Sequence, residues 1–487
     1  MYRMRTIALL ILPVVLSGCL LDATLQWSQD GTVGLLGGTG LSLSIIDGTN
    51  GQVHRMPWND IASTPSLSRD GKLMAFVNIQ RANDIDDVLQ RIPQAQAARV
   101  SGDAEQLLAA CNSTKEAMDA NSLFAKAGVS SSDIVYRGIV ADYLLKRVSA
   151  QGIHVPESLL VFRNINPLRF YDLLVAPSNA SAADQGRSVA ASAFPMRMPQ
   201  LSPDKRWLAY LIQTGVESAS APTFHLCLTS TAGSSSALLA SNVSQGFAWR
   251  EDSRTMVCIA ALEQAAVGGF ALGSLKEMTI IDLQGHLYLR SQPKSDARRQ
   301  DVVDQRVEPI VSQLAGLFFH RSMKATYGAR GRILLAAIRA SLPVGSVEGE
   351  PTWSLFCCDP AYGTVVNILP PKVSEQLDEA VVGFQVSPDG SHVLIPTERG
   401  TLLVYALGSP SAATVQTTKE TDKTRETTAI LFGWKGSDRF TCLLAGNSPL
   451  LAGSPYTTNE LGIYEFDVKG VLIRELTGPS AMPQPIP

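Results

Sequence analysis

The sequence predicts an all-β fold: a β-propeller of seven four-stranded blades with a helical insertion in the second blade. Three observations predict it. A short apolar segment ending in a Ser-x-Asp-Gly turn recurs along the chain, and each copy leads into a β-rich apolar run. Most copies are followed by a second strand-turn-strand segment, which makes four strands per repeat. One interval between copies is far longer than the others and changes to helical spacing.

The copies are read in order. Trp27-Ser28-Gln29-Asp30-Gly31 leads into TVGLLGG, and Leu67-Ser68-Arg69-Asp70-Gly71 into KLMAFV. Leu201-Ser202-Pro203-Asp204-Lys205 leads into RWLAYL, and Trp249-Arg250-Glu251-Asp252-Ser253 into RTMVCIA. Val386-Ser387-Pro388-Asp389-Gly390 leads into SHVLIP, and Trp434-Lys435-Gly436-Ser437-Asp438 into RFTCLLAG. A degenerate copy at Tyr327 to Arg332, before ILLAAI, brings the count to seven. The unit is a hairpin: Pro presets the first turn position, Asp bonds its own backbone, and Gly accepts positive φ. The aromatic or aliphatic residue before Ser is expected to pack between neighbouring blades.

The second hairpins lie at Leu41 to Met56, Phe224 to Ala240, Met278 to Arg290, Trp353 to Leu369, Leu402 to Thr417 and Leu461 to Leu476. Their turns are made by Gly, Asp, Asn or Ser. A β-sandwich or β-solenoid is the competing arrangement. The turns in register, with an aromatic before several of them, resemble the WD40-like repeats of TolB-type propellers. That resemblance covers most of residues 25 to 478. A single Ser-Pro-Asp-Gly turn is common; its specificity lies in the repetition.

The anchors Asp30 and Asp70 are 40 residues apart, whereas Asp70 and Asp204 are 134 apart, so the second blade is interrupted. Residues 84–151 carry helix formers. Val135, Ile139, Tyr143, Leu144 and Val148 fall on one apolar stripe, and Ser130 to Asp133 offer N-cap residues. SLLVFRN and RFYDLLVAP are then expected to resume the blade as strands. A second helical candidate spans Asp301 to Leu314. Both segments would decorate the disc, and 84–151 is the expected partner-binding element. Its deletion is expected to leave a folded protein that loses its partner.

The N-terminus reads as an export signal. Arg3 and Arg5 precede the apolar run Thr6 to Leu16, too short to span a membrane. The segment Leu16-Ser17-Gly18-Cys19 resembles the lipobox of bacterial lipoproteins. That resemblance implies a signal peptide at 1–18, cleavage before Cys19, and lipid (diacylglyceryl and acyl chains such as palmitate) on Cys19. Several acyl chains give stable membrane attachment where one does not. Leu20 stands where enteric inner-membrane lipoproteins carry Asp, which favours the outer membrane on the periplasmic side of the cell envelope. Residues 19–26 are expected as a lipidated tether, 27–478 as the propeller, and 479–487 as a flexible tail.

Apolar residues make up 45% of the chain and charged residues 17%, which suits a core with many tight turns. The net charge of −3 argues against nucleic acid or an anionic surface as the main partner. Cys111, Cys227, Cys258, Cys357, Cys358 and Cys442 lack zinc spacing. Cys227, Cys258 and Cys442 lie in strand patterns as small hydrophobes, Cys357 and Cys358 point to opposite faces, and a disulfide involving Cys111 stays open. No G-x-S-x-G elbow, P-loop, H-E-x-x-H or haem motif occurs.

The histidines at 54, 154, 225, 286, 320 and 392 are scattered and read as structural. Gly34 to Gly40 reads as a hairpin rather than a phosphate cradle, and Asp84, Asp86 and Asp87 as a helix start rather than a calcium site. No catalytic residue, metal site or cofactor is expected. The chain is expected to be no enzyme but a lipid-tethered scaffold that binds an envelope protein. The alternative is a propeller enzyme or small-molecule binder that uses the central channel.

Overall fold

The computed structural model describes residues 23–39, 41–114, 118–129, 131–149, 155–213, 224–233, 236–267, 270–283, 304–306, 308–314, 317–320, 326–328, 331–339, 352–370, 373, 384–396, 402–415, 427–446 and 461–478. The predicted signal peptide, Cys19 and the tail at 479–487 lie outside them. The fold is a β-propeller of seven antiparallel four-stranded blades in a ring.

Blade 1 is β1 (Ala23–Trp27), β2 (Val33–Gly38), β3 (Leu41–Asp47) and β4 (Val53–Arg55). Blade 2 is β5 (Ser66–Leu67), β6 (Leu73–Arg81), β7 (Arg169–Pro177) and β8 (Arg187–Ser192). Blade 3 is β9 (Met196–Leu201), β10 (Trp207–Gln213), β11 (Phe224–Ser230) and the first part of β12 (Ala237–Trp249). The rest of β12 opens blade 4, pairing Phe247 with Cys258 and Trp249 with Met256. Blade 4 continues with β13 (Thr255–Val267), β14 (Phe270–Asp282) and β15 (Asp304–Arg306).

A short strand, β16 (Phe318–His320), pairs with both β14 and blade 5. Blade 5 is β17 (Thr326–Tyr327), β18 (Ile333–Arg339), β19 (Thr352–Asp359) and β20 (Thr364–Asn367). Blade 6 is β21 (Gln385–Val386), β22 (His392–Pro396), β23 (Leu402–Ala406) and β24 (Ala413–Thr414). Blade 7 is β25 (Thr427–Trp434), β26 (Arg439–Gly446), β27 (Leu461–Asp467) and β28 (Leu472–Thr477).

Side-chain chemistry explains why the repeated turn recurs. In blade 1, Ser28 N donates to Val33 O at 2.8 Å, Gly31 N to Ser28 O at 2.9 Å, and Ser28 Oγ to Asp30 Oδ1 at 2.6 Å. Ser28 Oγ in turn accepts from Val33 N at 3.0 Å. Ser68–Asp70, Ser202–Asp204 and Ser387–Asp389 repeat the set, with Ser-to-Asp distances of 2.8, 2.6 and 2.6 Å. The turn therefore satisfies its own backbone groups locally and needs no tertiary partner to reverse the chain. In blade 3 the left-handed position is held by Lys205 (φ 63) instead of Gly, and Lys205 Nζ reaches Asp70 Oδ2 of blade 2 at 2.6 Å.

Because the strands alternate direction, the two sides of the disc are unlike. Every first-to-second-strand turn lies on one side, here the turn face. The third-to-fourth turn of blade 1 is there too, Gly48 N donating to Thr32 O at 2.8 Å. The other side receives the chain at Ala23 and carries the second-to-third connections.

The insertion leaves blade 2 from that second side, between β6 and β7. It comprises α1 (Ile85–Arg91), α2 (Gln94–Asn112), α3 (Ala120–Lys126), α4 (Ile134–Ser149) and α5 (Glu157–Ile165). The predicted stripe is the buried face of α4: Val135, Ile139, Leu144 and Val148 are all buried, and Tyr143 is half-buried. Asp133 caps α4 by accepting from Tyr136 N at 3.0 Å.

Three expectations are corrected. Residues 158–164 (SLLVFRN) form helix α5, not a strand. Pro156 occupies the N-cap and the apolar run Leu159–Phe162 packs on one side only, burying Leu159 while Leu160 and Val161 face out. The first strand starts at Ala23, four residues before Trp27, because Ala23 pairs with Gly38 across the sheet. The helical candidate at 301–314 is split into β15 and a single short helix, α6 (Glu308–Gln313). Of the expected hairpin at Met278 to Arg290, residues 284–290 lie outside the described residues.

The insertion and the disc share one core. Val100, Leu107, Phe124, Ile139 and Leu159 are contiguous with Val77, Phe170 and Leu173 of blade 2 and with Leu208 and Tyr210 of blade 3. Tyr136 stacks on Phe194 at 4.4 Å between blades 2 and 3, and Gln96 Oε1 accepts from Ala193 N at 2.8 Å. Excising residues 84–151 would strip cover from this core. Surface substitutions are therefore the sounder test of what the insertion does.

Candidate functional site

The turn face carries the aspartates of the repeated turn, and their carboxylates are committed to structure. Hydrogen bonds from Ser28 and Thr32 hold the Asp30 carboxyl below its ordinary range. The Lys205 ammonium bonded to Asp70 draws that carboxyl down to about 2. Asp252 accepts from Arg254 N and Thr255 N, both at 2.9 Å. Among the described residues, no group of three or more His, Cys, Asp or Glu side chains could hold a metal ion.

Neighbouring blades are joined by glutamines two positions before the turn serine. Gln26 Oε1 accepts from Leu67 N at 3.0 Å and its Nε2 donates to Pro65 O at 3.3 Å. Gln385 Nε2 donates to Phe432 O at 3.0 Å, and Trp434 Nε1 returns a bond to Gln385 O at 3.0 Å. Trp249 Nε1 bonds Gln200 O at 3.1 Å in the same way. The residue before the turn thus packs between blades as expected. The Gln-x-Ser spacing at 26, 200 and 385 is the sequence signal of this contact.

Blades 7 and 1 close the ring without exchanging a strand, since each is a single stretch of chain. Trp27 Nε1 donates to Thr441 Oγ1 at 2.7 Å, and Lys435 Nζ lies 5.1 Å from the Trp27 ring centroid. Gly433 is required here: a Cβ would stand 2.2 Å from Leu25 O. Beneath this contact Glu465 is fully buried. It accepts from Lys435 at 3.0 Å, Arg474 at 2.8 Å and Arg439 at 3.3 Å. Lys435 and Arg474 continue across the seam to Gly48 O at 2.6 and 3.1 Å. Burial raises the Glu465 carboxyl, and the bonds from Arg474 and Lys435 outweigh it, so the group stays below its usual range.

The other sequence-predicted groups are dispersed. Asp84 caps α1 by accepting from Asp87 N at 2.9 Å, Asp87 pairs with Arg91 at 2.9 Å, and Asp86 pairs with Lys146. The trio is a helix start, as expected. Most of the run Gly34 to Gly40 is strand β2 itself. His392 Nδ1 meets Ser391 Oγ at 2.7 Å, His225 is half-buried with its imidazole pushed below its ordinary value by burial, and His54 is exposed on β4. His320 lies on β16, and His154 and His286 lie outside the described residues. None of the six described cysteines is in a disulfide. Cys227, Cys258, Cys358 and Cys442 are buried, and burial pushes the Cys358 thiol up to about 12.

One feature of the insertion was not legible beforehand. On α5, Leu160, Val161 and Ile165 are 44%, 48% and 72% exposed. The same helix is fastened inward by burial of Leu159, by Phe162 against Phe124 at 5.2 Å, and by an Arg163–Asp142 ion pair. Other large apolar side chains left exposed on strands and turns sit on blades 3, 5 and 7, at Leu238, Tyr362, Val366, Val471 and Ile473.

No protein-family model matches the sequence, and no curated protein matches it. Among solved structures the chain is similar to TolB from Acinetobacter baumannii, at 14% identity and a TM-score of 0.34. The match covers 62% of this chain and 58% of that one, so the chain spans little more than half of that protein's length. It is similar to an oligogalacturonate lyase in complex with manganese at 10% identity and a TM-score of 0.41, covering 80% and 78% of the two chains. It is also similar to the β-propeller domain of Cps50 (Swd1) from Myceliophteria thermophila at 9% identity and a TM-score of 0.44, covering 87% and 93%. At this similarity the strand pairing, not the likeness, defines the fold.

Proposed function

We propose that the chain is a lipid-anchored scaffold of the cell envelope, tethered through Cys19, that binds an envelope protein through its helical insertion and catalyses no reaction. The observation that carries this reading is the continuous core of insertion and disc. A five-helix body that takes no part in closing the ring is nevertheless held rigidly on it. Rigid presentation lowers the cost of ordering a surface when a partner binds. The lipobox at Leu16 to Cys19 supports the anchor, and Leu20 supports the outer membrane. Among the described residues, no helix is long and apolar enough to cross a membrane.

The test places a benzophenone amino acid at exposed Gln106 or Ala109 on α2, and at exposed Lys72 on the turn face. Irradiation of intact envelope membranes is expected to cross-link a protein to positions 106 and 109 and none to 72. Cross-links confined to 72, or none from the insertion, would overturn the insertion as the binding element. Loss of fatty-acid label and of membrane association in Cys19→Ala checks the anchor separately.

A further inference from the structure

We infer that the outer face of α5 rests in the surface of the lipid bilayer to which Cys19 anchors the chain, with the turn face directed away from it. The inference rests on lipidation of Cys19. Three observations carry it.

The first is where the chain enters the fold. Ala23 is paired within blade 1, so only three residues lie between Cys19 and the disc, four residue steps in all. Their greatest reach is about 14 Å, at ~3.3–3.6 Å per residue. The second is which side and which radius the chain enters from. Strand β1 is the innermost strand of its blade: it lies against β25 and β5 of the adjacent blades, and β4 forms the outer edge. It starts on the side opposite the turns, the side from which the insertion projects. Reaching the outer edge of the blade means crossing three strand spacings of ~4.8 Å, about 14 Å in all. That crossing uses up the tether, so the disc cannot stand on its rim or turn its turn face to the membrane. The side that carries the insertion faces the bilayer.

The third is what that side presents. A helical layer is ~10 Å thick, comparable with the tether, so a disc held this closely brings the insertion to the lipid surface. On α5 the exposed arc carries Leu160, Val161 and Ile165, bordered by Glu157 and Asn164. The opposite arc is committed inward through Leu159, Phe162 and Arg163. A helix with one apolar face and a polar border lies in the membrane interface without crossing it. The contact is apolar, in keeping with a net charge of −3, so neutral lipid suffices.

The test uses the full lipidated protein reconstituted in vesicles of phosphatidylethanolamine and phosphatidylcholine. Benzophenone side chains replace Val161 or Ile165, and Lys72 serves as the control. Mass spectrometry of the N-terminal peptide first establishes the state of Cys19. With Cys19 lipidated, irradiation is expected to give lipid adducts at 161 and 165 and none at 72. Absence of adducts at 161 and 165, or adducts at 72 as well, overturns the inference while the anchor stands. Protein adducts at 161 in native membranes, without lipid adducts, assign the face to a protein partner and also overturn it. An unlipidated Cys19 removes the premise and overturns inference and anchor together.

Discussion

The seam between blades 7 and 1 and the insertion-bearing blade 2 each bury a carboxylate, and they treat it in opposite ways. Glu465 at the seam is ringed by Lys435, Arg439 and Arg474, which keep it ionised against its burial. Asp172 on β7 is as deeply buried, but it accepts from a neutral hydroxyl, Ser188 Oγ at 2.6 Å, and burial lifts its carboxyl to about 6. Position in the chain accounts for the difference. Blade 2 is held to its neighbours by covalent connections and a large shared core, and it tolerates an acid whose burial is only partly offset. Blades 7 and 1 meet with no strand exchanged between them, and there the charge is used: the cations that satisfy Glu465 also reach the carbonyls of blade 1.

The comparison breaks most visibly at Glu465. Replacing it with Ala strands Lys435, whose side chain is only 9% exposed, among like charges. Removing one partner of a buried ion pair costs about 3–5 kcal/mol. Arg439 and Arg474 are half in water and can rehydrate, which favours the lower end, about 3 kcal/mol. Thermal unfolding of E465A checks this; a loss below about 1 kcal/mol, the range of surface pairs, would show that the clasp does not close the ring. The native protein should show the same dependence with pH. A folded-state carboxyl below its unfolded value contributes stability above that value and loses it as pH falls through the folded one. Acid should therefore open this seam.

Asp172 should behave with the opposite sign. Its folded carboxyl titrates near 6 and its unfolded one near ~3.9. Between these values the folded chain holds a proton that the unfolded chain has lost, so stability falls as pH rises through the window and is flat above it. Asp172→Asn imitates the neutral form. It should gain about 1–3 kcal/mol at pH 8, at 1.4 kcal/mol per pKa unit, and little near pH 4. Denaturant melts at the two pH values read the difference. An equal effect at both would mean that Asp172 is ionised in the folded state.

These two sites also mark how much the sequence discloses. The blades were legible because Ser28, Ser68, Ser202 and Ser387 each close a turn with an Asp two residues on, and such local chemistry is visible in a short window. The interruption of blade 2 was legible as a change of period. The clasp was not: Lys435 and its acceptor Gly48 are 387 residues apart, and Glu465 sits in an unremarkable strand pattern. Helix α5 was misread because its run of four apolar residues fits strand and helix alike, and only packing against α3 and α4 decides which side is covered. Cys19 is known from its neighbours in sequence alone.

The smallest effect should come from the turn face, where the chemistry of the seam is repeated in water. Arg69 of blade 2 pairs with Glu251 of blade 4 at 3.2 Å, and the two side chains are 48% and 73% exposed. An exposed pair gains little, because both ions keep their hydration and long side chains lose freedom. The main-chain bond that places this turn, from Gln29 N to Arg69 O at 2.7 Å, survives any side-chain change. Arg69→Ala should therefore cost less than about 0.5 kcal/mol, and that small cost should vanish at high salt, where exposed charges are screened within ~3 Å. Thermal melts at low and high salt measure both quantities. A salt-independent loss above about 1 kcal/mol, beyond the usual range for exposed pairs, would place turn-face ion pairs beside the Glu465 clasp. Burial would then no longer separate the contacts that close the ring from those that decorate it.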